Sequence, residues 1–303
     1  MNEVSFFSVF KLLSARAWHL RTSCIQCKIA AMDSCADARA PNSAGGGGSL
    51  PSPGEQPAFS PGPGAGAAAD ALAAALRAAA AAAPPPPPGA PPPPAEPQIY
   101  DISLTYGELQ PSAFLQVLAL ALPFLACAPP HAFHDFGSGE GLPPLLAAAF
   151  HAGFAACSGV EVSPRLHAAA LAHAAAAPAA AAAAAAAGAP LPAGAPDRLR
   201  AVALRCGDGL APEALAPLRG AALLYMNSTA FSEELLAGVF KEAERMRCGA
   251  LVVCTSQVMM TPLFELCAEA VVPSTWGTAT ARVYRRNKLP RWVVGVTGRK
   301  AKS

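Results

Sequence analysis

Four polar residues of this chain are spaced as if each closed one strand of a parallel sheet, and their types suit a ligand that carries a nucleoside. The first lies in Asp135-Phe136-Gly137-Ser138-Gly139-Glu140-Gly141, a carboxylate and three alternate glycines between an apolar run and a helical pattern. Glycines there let a ligand approach the backbone, and the helix that follows offers amide protons with no partner inside the helix. The spacing is GxGxG, and Leu142 stands where a dinucleotide fingerprint has its last glycine, which weighs against NAD. Glu161 comes about 20 residues later, where a carboxylate can accept both ribose hydroxyls. Asp208, in Arg205-Cys206-Gly207-Asp208, can accept an amino hydrogen from adenine, and Asn227 closes a further run in Met226-Asn227-Ser228. Taken singly, each of the four fits a helix cap or a solvated turn equally well. Together, at four successive strand ends, they favour a nucleoside site, because open parallel sheets bind ligands at that edge.

The elements that must position these residues follow from hydrophobic periodicity. Helical patterns are predicted at 114–124, 145–154, 164–172, 212–218 and 233–246, and strands at 132–136, 156–162, 201–206, 221–226 and 250–255. Pro143 and Pro144 fall in a first helical turn, where a missing amide proton costs little. Strand and helix in regular alternation predict an α/β domain with an open, doubly wound, mostly parallel sheet. Segments 282–286 and 292–297 have no helix between them and are expected to end the sheet as an antiparallel hairpin.

The motif series resembles the class I methyltransferases that use S-adenosylmethionine, with their Rossmann-like sheet, and more closely the disruptor of telomeric silencing family, the histone H3 lysine methyltransferases that lack a SET domain. The similarity runs from about residue 98 to 286. It is carried by Tyr106-Gly107-Glu108, Asp135 to Gly141, Gly159-Val160-Glu161, Gly207-Asp208, and Asn227 with Ala230 and Phe231. The resemblance implies S-adenosylmethionine as cofactor. Asp135, Gly137, Ser138, Gly139 and Gly141 would hold its methionine part, Glu161 the ribose and Asp208 the adenine amino group, with Tyr106 and Glu108 on a loop closing over it. Asn227, Phe231, Trp276 and Tyr284 would line the channel for a lysine of the histone H3 core, and no metal is needed. The sequence departs from the family at Ser228, where a second asparagine is usual, at Gly209, where an aromatic packs on adenine, and at Leu142, where a glutamine follows the loop. With Trp276 in register, Val283 falls opposite the channel tyrosine and Tyr284 lies one place on.

Composition sets the frame around this domain. Of 303 residues, 53% are hydrophobic but only 14% charged, because Ala, Pro and Gly crowd the region before Pro97 and again at 174–196. Residues 1–97 are expected to be a leader followed by a disordered Ala/Pro/Gly-rich tether, in which 68–83 can form a local helix with nothing to pack against. Residues 98–303 are expected to be the catalytic domain, with an Ala-rich insertion at 174–196 whose first part prolongs the preceding helix. Lys11, Arg16, Arg21 and Lys28 among Phe6, Phe7 and Phe10 resemble an organelle transit peptide; an unstructured leader, with Met32 as a second start, is the plainer alternative. The longest run of apolar residues, 114–128, contains Gln116 and Pro123 and is too short to span a bilayer, so a soluble protein without membrane association is expected. Nine cysteines in apolar contexts suggest reduced thiols, and Cys24 with Cys27 has no second pair to complete a zinc site.

The net charge is only +2, yet after Ala270 there are eight basic residues from Arg282 to Lys302 and no acid. Such a segment suits DNA phosphates in a nucleosome, and it equally suits a sheet edge guarded against further pairing. A methyltransferase of another protein or of a small molecule, and an inactive module of the same fold that binds chromatin, are the alternatives to a histone acceptor. A histone substrate implies the nucleus, and a true transit peptide an organelle. The target lysine and the oligomeric state are not legible.

Overall fold

The computed structural model of the chain describes residues 62–82, 108–275 and 277–287. Tyr106, Trp276, the Cys24 and Cys27 pair, segment 292–297 and the basic residues from Lys288 onward lie outside the described residues.

Five short runs form the parallel part of the sheet: β1 (His131–Phe136), β2 (Phe154–Glu161), β3 (Ala203–Cys206), β4 (Leu223–Met226) and β5 (Leu251–Thr255). Every residue of β4 and β5 is buried, as expected of strands covered on both faces. β6 (Phe264–Ser274) and β7 (Gly277–Arg286) complete a seven-stranded sheet of order β3-β2-β1-β4-β5-β7-β6, with β7 antiparallel to both neighbours. This is the open, mostly parallel, Rossmann-like sheet with a terminal antiparallel hairpin that the sequence led us to expect. The chain winds outward from β1 through β3, then returns to place β4 on the other side of β1. The crevice between β1 and β4 is therefore the topological switch point where such sheets bind ligands.

Helices cover the sheet in two groups. α1 (Ala65–Ala81), α2 (Pro111–Ala121), α3 (Leu142–Phe150), α4 (Pro164–Ala186) and α5 (Ala195–Arg200) pack among themselves, and α6 (Leu215–Gly220) packs with α7 (Glu233–Ala243). The core under them centres on Phe114, Phe133 and Tyr225, whose rings meet at centroid distances of 5.2 to 6.4 Å.

Two expectations change here. The terminal hairpin exists, but 282–286 is the second half of β7, and its partner precedes it in the chain. β6 escapes a period-two reading because a register shift between Leu266 and Ala268 turns the alternation over, and Pro273 sits near its end. β6 also supplies acids to the basic strand. Glu269 pairs with Arg282 at 3.3 Å and Glu265 with Arg285 at 2.9 Å, while buried Arg286 donates from Nε to the Glu244 carbonyl at 2.9 Å. Three of the eight charges expected to be uncompensated are thus satisfied inside the domain.

The second change concerns alanine. α1 falls in the segment expected to be tether, and it packs against α2 and α4 with Ala65, Ala69, Leu72, Ala73 and Leu76 buried along one face. α4 runs through Pro178 into the poly-alanine expected as an insertion, and buries Ala177 and Ala181. Two faces of small side chains let helix axes approach closely, so each alanine tract supplies the surface that the other lacked. α4 is long and apolar enough by composition to cross a membrane, but here it forms a wall of the domain against α1, α5, β2 and β3.

Candidate functional site

Asp135 stands next to last in β1, level with Tyr225 of β4. It is 1% exposed, and neither carboxylate oxygen has a hydrogen-bond partner. Burial pushes its carboxyl well above the usual carboxylate range, and the nearby charges of Glu161 and Glu108 push it further. The Tyr225 phenol is raised by burial and by the same acidic surroundings, from Asp135 and Glu108. A buried carboxylate without donors, flanked by two more acids, is the chemical complement of a cation.

The loop above it is held by its own backbone and by Glu161. Gly137, Gly139 and Gly141 have φ of 78°, 53° and 77°, a left-handed region that glycine enters without strain. The Gly137 and Ser138 amides both donate to the Val160 carbonyl at 2.9 Å. Glu161, at the end of β2, accepts from the Gly139 amide at 2.7 Å and the Ser163 amide at 2.8 Å. Its carboxylate is therefore oriented by two backbone donors, and a ribose would use its remaining lone pairs. Ser163 in turn caps α4 through the Leu166 amide, and the buried His173 of α4 donates from Nδ1 to the Glu140 carbonyl at 2.9 Å. A side chain at Gly137 would meet the Phe231 ring at 2.8 Å, so the glycine keeps the loop and that ring in contact.

The remaining strand ends bring further groups to the same edge. Asp208 is exposed beyond β3, with Oδ1 accepting the Leu210 amide at 2.8 Å, which leaves its second oxygen for a ligand. Gly209 packs on Phe136, and a Cβ there would come within 2.3 Å of that ring. The glycine at 209 thus makes room for the buried Phe136 ring of β1. Asn227 follows β4, and its Oδ1 accepts the Thr255 hydroxyl at 2.6 Å, which fixes the plane of the amide. Ser228 is buried and donates to the Thr255 carbonyl at 2.8 Å, so it ties β4 to β5. Phe231 is half-buried and meets Phe136 edge-on at 5.8 Å.

Tyr284 is not at this edge. It pairs with Val252, three residues back from the end of β5 at Thr255, or roughly 10 Å at the rise of a strand. Its ring is buried, and its hydroxyl accepts the Met259 amide at 3.2 Å; burial raises the phenol. The one-residue offset read in the sequence becomes a side chain committed to the core. Glu108, by contrast, is brought in from before α2. Its amide donates to Thr275 Oγ1 at 3.2 Å, and its carbonyl accepts the Thr275 amide at 3.0 Å, which pins this segment to the tip of the β6–β7 hairpin. The neighbours of Tyr106 and Trp276 therefore meet, although those two lie outside the described residues.

Sequence reasoning missed Thr255, His173 and Arg77. Arg77 on α1 pairs with Glu108 at 2.5 Å and with Glu140 at 3.7 Å. A signal for it was present: Asp70 and Arg77 are the sole charges between 62 and 82, seven residues apart and so on one helix face. Among the described residues no group of three His, Cys, Asp or Glu side chains is arranged to hold a metal ion.

No family model and no curated protein matches this chain. Among solved structures it is similar to the rRNA methyltransferase aviRa from Streptomyces viridochromogenes, with 17% identity, 57% of this chain and 84% of that one covered, and a TM-score of 0.43. It is also similar to TrmN from Thermus thermophilus, with 15% identity, 57% and 48% coverage and a TM-score of 0.37. A precorrin-6y C5,15-methyltransferase from Geobacter metallireducens shows 12% identity, 57% and 89% coverage and a TM-score of 0.37.

Proposed function

We propose that this chain is an S-adenosylmethionine-dependent methyltransferase whose acceptor is a lysine of the histone H3 core. The observation that carries the cofactor assignment is Asp135, a buried carboxylate with two unpartnered oxygens beneath a glycine loop at the switch point of the sheet. The residues present fit the cofactor: Asp135 and Glu108 for its positive end, Glu161 for ribose and Asp208 for the adenine amino group. When bound, S-adenosylmethionine supplies a methyl carbon activated by a positively charged sulfur.

What the chain contributes is alignment, dryness and charge. Asp135, without donors of its own, offers both oxygens to an ammonium, and the ligand's charge favours its ionised form. Phe136 and Phe231 border the glycine loop with apolar surface, which excludes water and favours an acceptor amine that has already lost its proton. Asn227, just past the end of β4 and with its amide plane fixed by Thr255, would orient that amine. An in-line displacement asks little more than such positioning. The motif series from Tyr106 to Phe231 supports the lysine acceptor, and the basic residues after Asn287 would contact nucleosomal phosphates in the nucleus.

The test is transfer of labelled methyl from the cofactor to nucleosomes by the full-length chain, with Asp135→Asn alongside. Labelled histone H3 with the wild type and not with the variant is the expected result. Cofactor binding without labelling of any histone would sink the lysine assignment and leave the cofactor assignment standing. A different acceptor is the second reading, favoured by the burial of Tyr284 away from the site.

A further inference from the structure

The acids at the amino-acid end of the site are gathered by a helix that belongs to none of the motifs. Glu108 precedes α2, Glu140 lies in the glycine loop, and the two come from different parts of the chain with like charge. Between them stands Arg77 of α1, Nη2 on Glu108 Oε2 at 2.5 Å and Nε facing Glu140 Oε2 at 3.7 Å. The Glu108 and Glu140 side chains are 14% and 25% exposed, so the contact is shielded more than an ordinary surface pair. α1 is held in place by Leu72 and Leu76 in the core. One turn-pair earlier, on the same face as Arg77, Asp70 accepts the Ser112 amide at 3.0 Å, which caps α2 just after Glu108. Both charges of α1 therefore act on the segment that carries Glu108, one on its side chain and one on the helix that follows. The opposite wall is held too, since His173 of α4 bonds the Glu140 carbonyl and α4 packs on α1.

We propose that Arg77 is a positioning residue for the amino-acid end of the cofactor, clasping the Glu108 carboxylate to Glu140 of the glycine loop. The proposal rests on the cofactor assignment above. Without the guanidinium, Glu108 and Glu140 repel each other, and the Glu108 side chain turns away from the loop while its backbone stays pinned at Thr275. Glu108 lies close enough to Asp135 to raise its carboxyl, so its position bears directly on the cation subsite. The adenosine end, served by Glu161 and Asp208, does not depend on the clasp.

That division gives a test within one protein. In the full-length chain, affinity for S-adenosylmethionine is compared with affinity for 5′-methylthioadenosine, which has the adenosine and sulfur but no amino-acid end. For Arg77→Ala the expected result is an S-adenosylmethionine affinity about three- to tenfold weaker, with methylthioadenosine unchanged. Arg77→Lys should recover part of the loss, because a point charge replaces the fork without its second contact. Equal weakening of both ligands would mean a general structural defect and would overturn the proposal, as would an unchanged affinity for S-adenosylmethionine. If the wild-type chain binds neither ligand, the cofactor assignment itself fails, and the clasp fails with it.

Discussion

Replacing Asp135 by Asn should move stability and cofactor binding in opposite directions. The carboxyl is buried without a donor, among acids, and its pKa lies above the unfolded value near 3.8. A group raised in this way contributes its full stability below that unfolded value and loses it as pH climbs through the folded pKa. At neutral pH the ligand-free wild type therefore carries a cost of about 1.4 kcal/mol for each unit of the rise that has been crossed. The amide escapes this charge cost but keeps unpaired polar atoms worth about 1–2 kcal/mol. A net gain in stability, read as a higher Tm, is therefore expected near pH 8. It should shrink towards pH 4. Binding moves the other way, since a hydrogen bond to a charged partner is worth about 1.5–3 kcal/mol, so S-adenosylmethionine affinity should fall roughly 10- to 150-fold. Thermal unfolding from pH 4 to 8 and calorimetric titration read the two effects separately. A variant less stable than the wild type at pH 8, with cofactor affinity intact, would refute the reasoning.

Three other outcomes follow from packing and burial. Leu76→Ala, at a side chain with 0% exposure, should cost about 2–5 kcal/mol by urea denaturation, whereas a true tether would show no effect. Tyr284→Phe leaves the Met259 amide without its acceptor and should cost about 1–3 kcal/mol, with turnover unchanged within about twofold once folded. Among the described thiols, exposed Cys206 and Cys248 should react with a thiol reagent in the native state. Cys157 and Cys254, pushed up to about 12 by burial, should react only on unfolding, as mass spectrometry of labelled peptides would show.

The parallel sheet was legible because each of its strands is a short, concentrated apolar run, and the acids at their ends announce the edge. Asp135, Glu161, Asp208 and Asn227 all stand at the carboxyl ends of successive strands. What failed was reading that depended on partners distant in sequence. Residues 65–81 are almost pure alanine, and nothing local says that a second alanine helix 100 residues on will cover them. β6 was hidden by its bulge, and with β6 went the acids that neutralise Arg282 and Arg285. Tyr284 illustrates the limit of a motif aligned across a gap: one residue of offset decides whether a side chain lines a channel or fills a core. Glu161 lies between these cases, since its position was evident but its bonds to Gly139 and Ser163 were not.

The most direct measurement is calorimetric titration of the full-length chain with S-adenosylmethionine near pH 7, beside its Asp135→Asn variant. The account predicts binding in the micromolar range that is clearly weaker in Asp135→Asn, because the buried carboxylate with no partner of its own meets the ligand's ammonium. Absence of binding, or the same affinity in the variant, would contradict it.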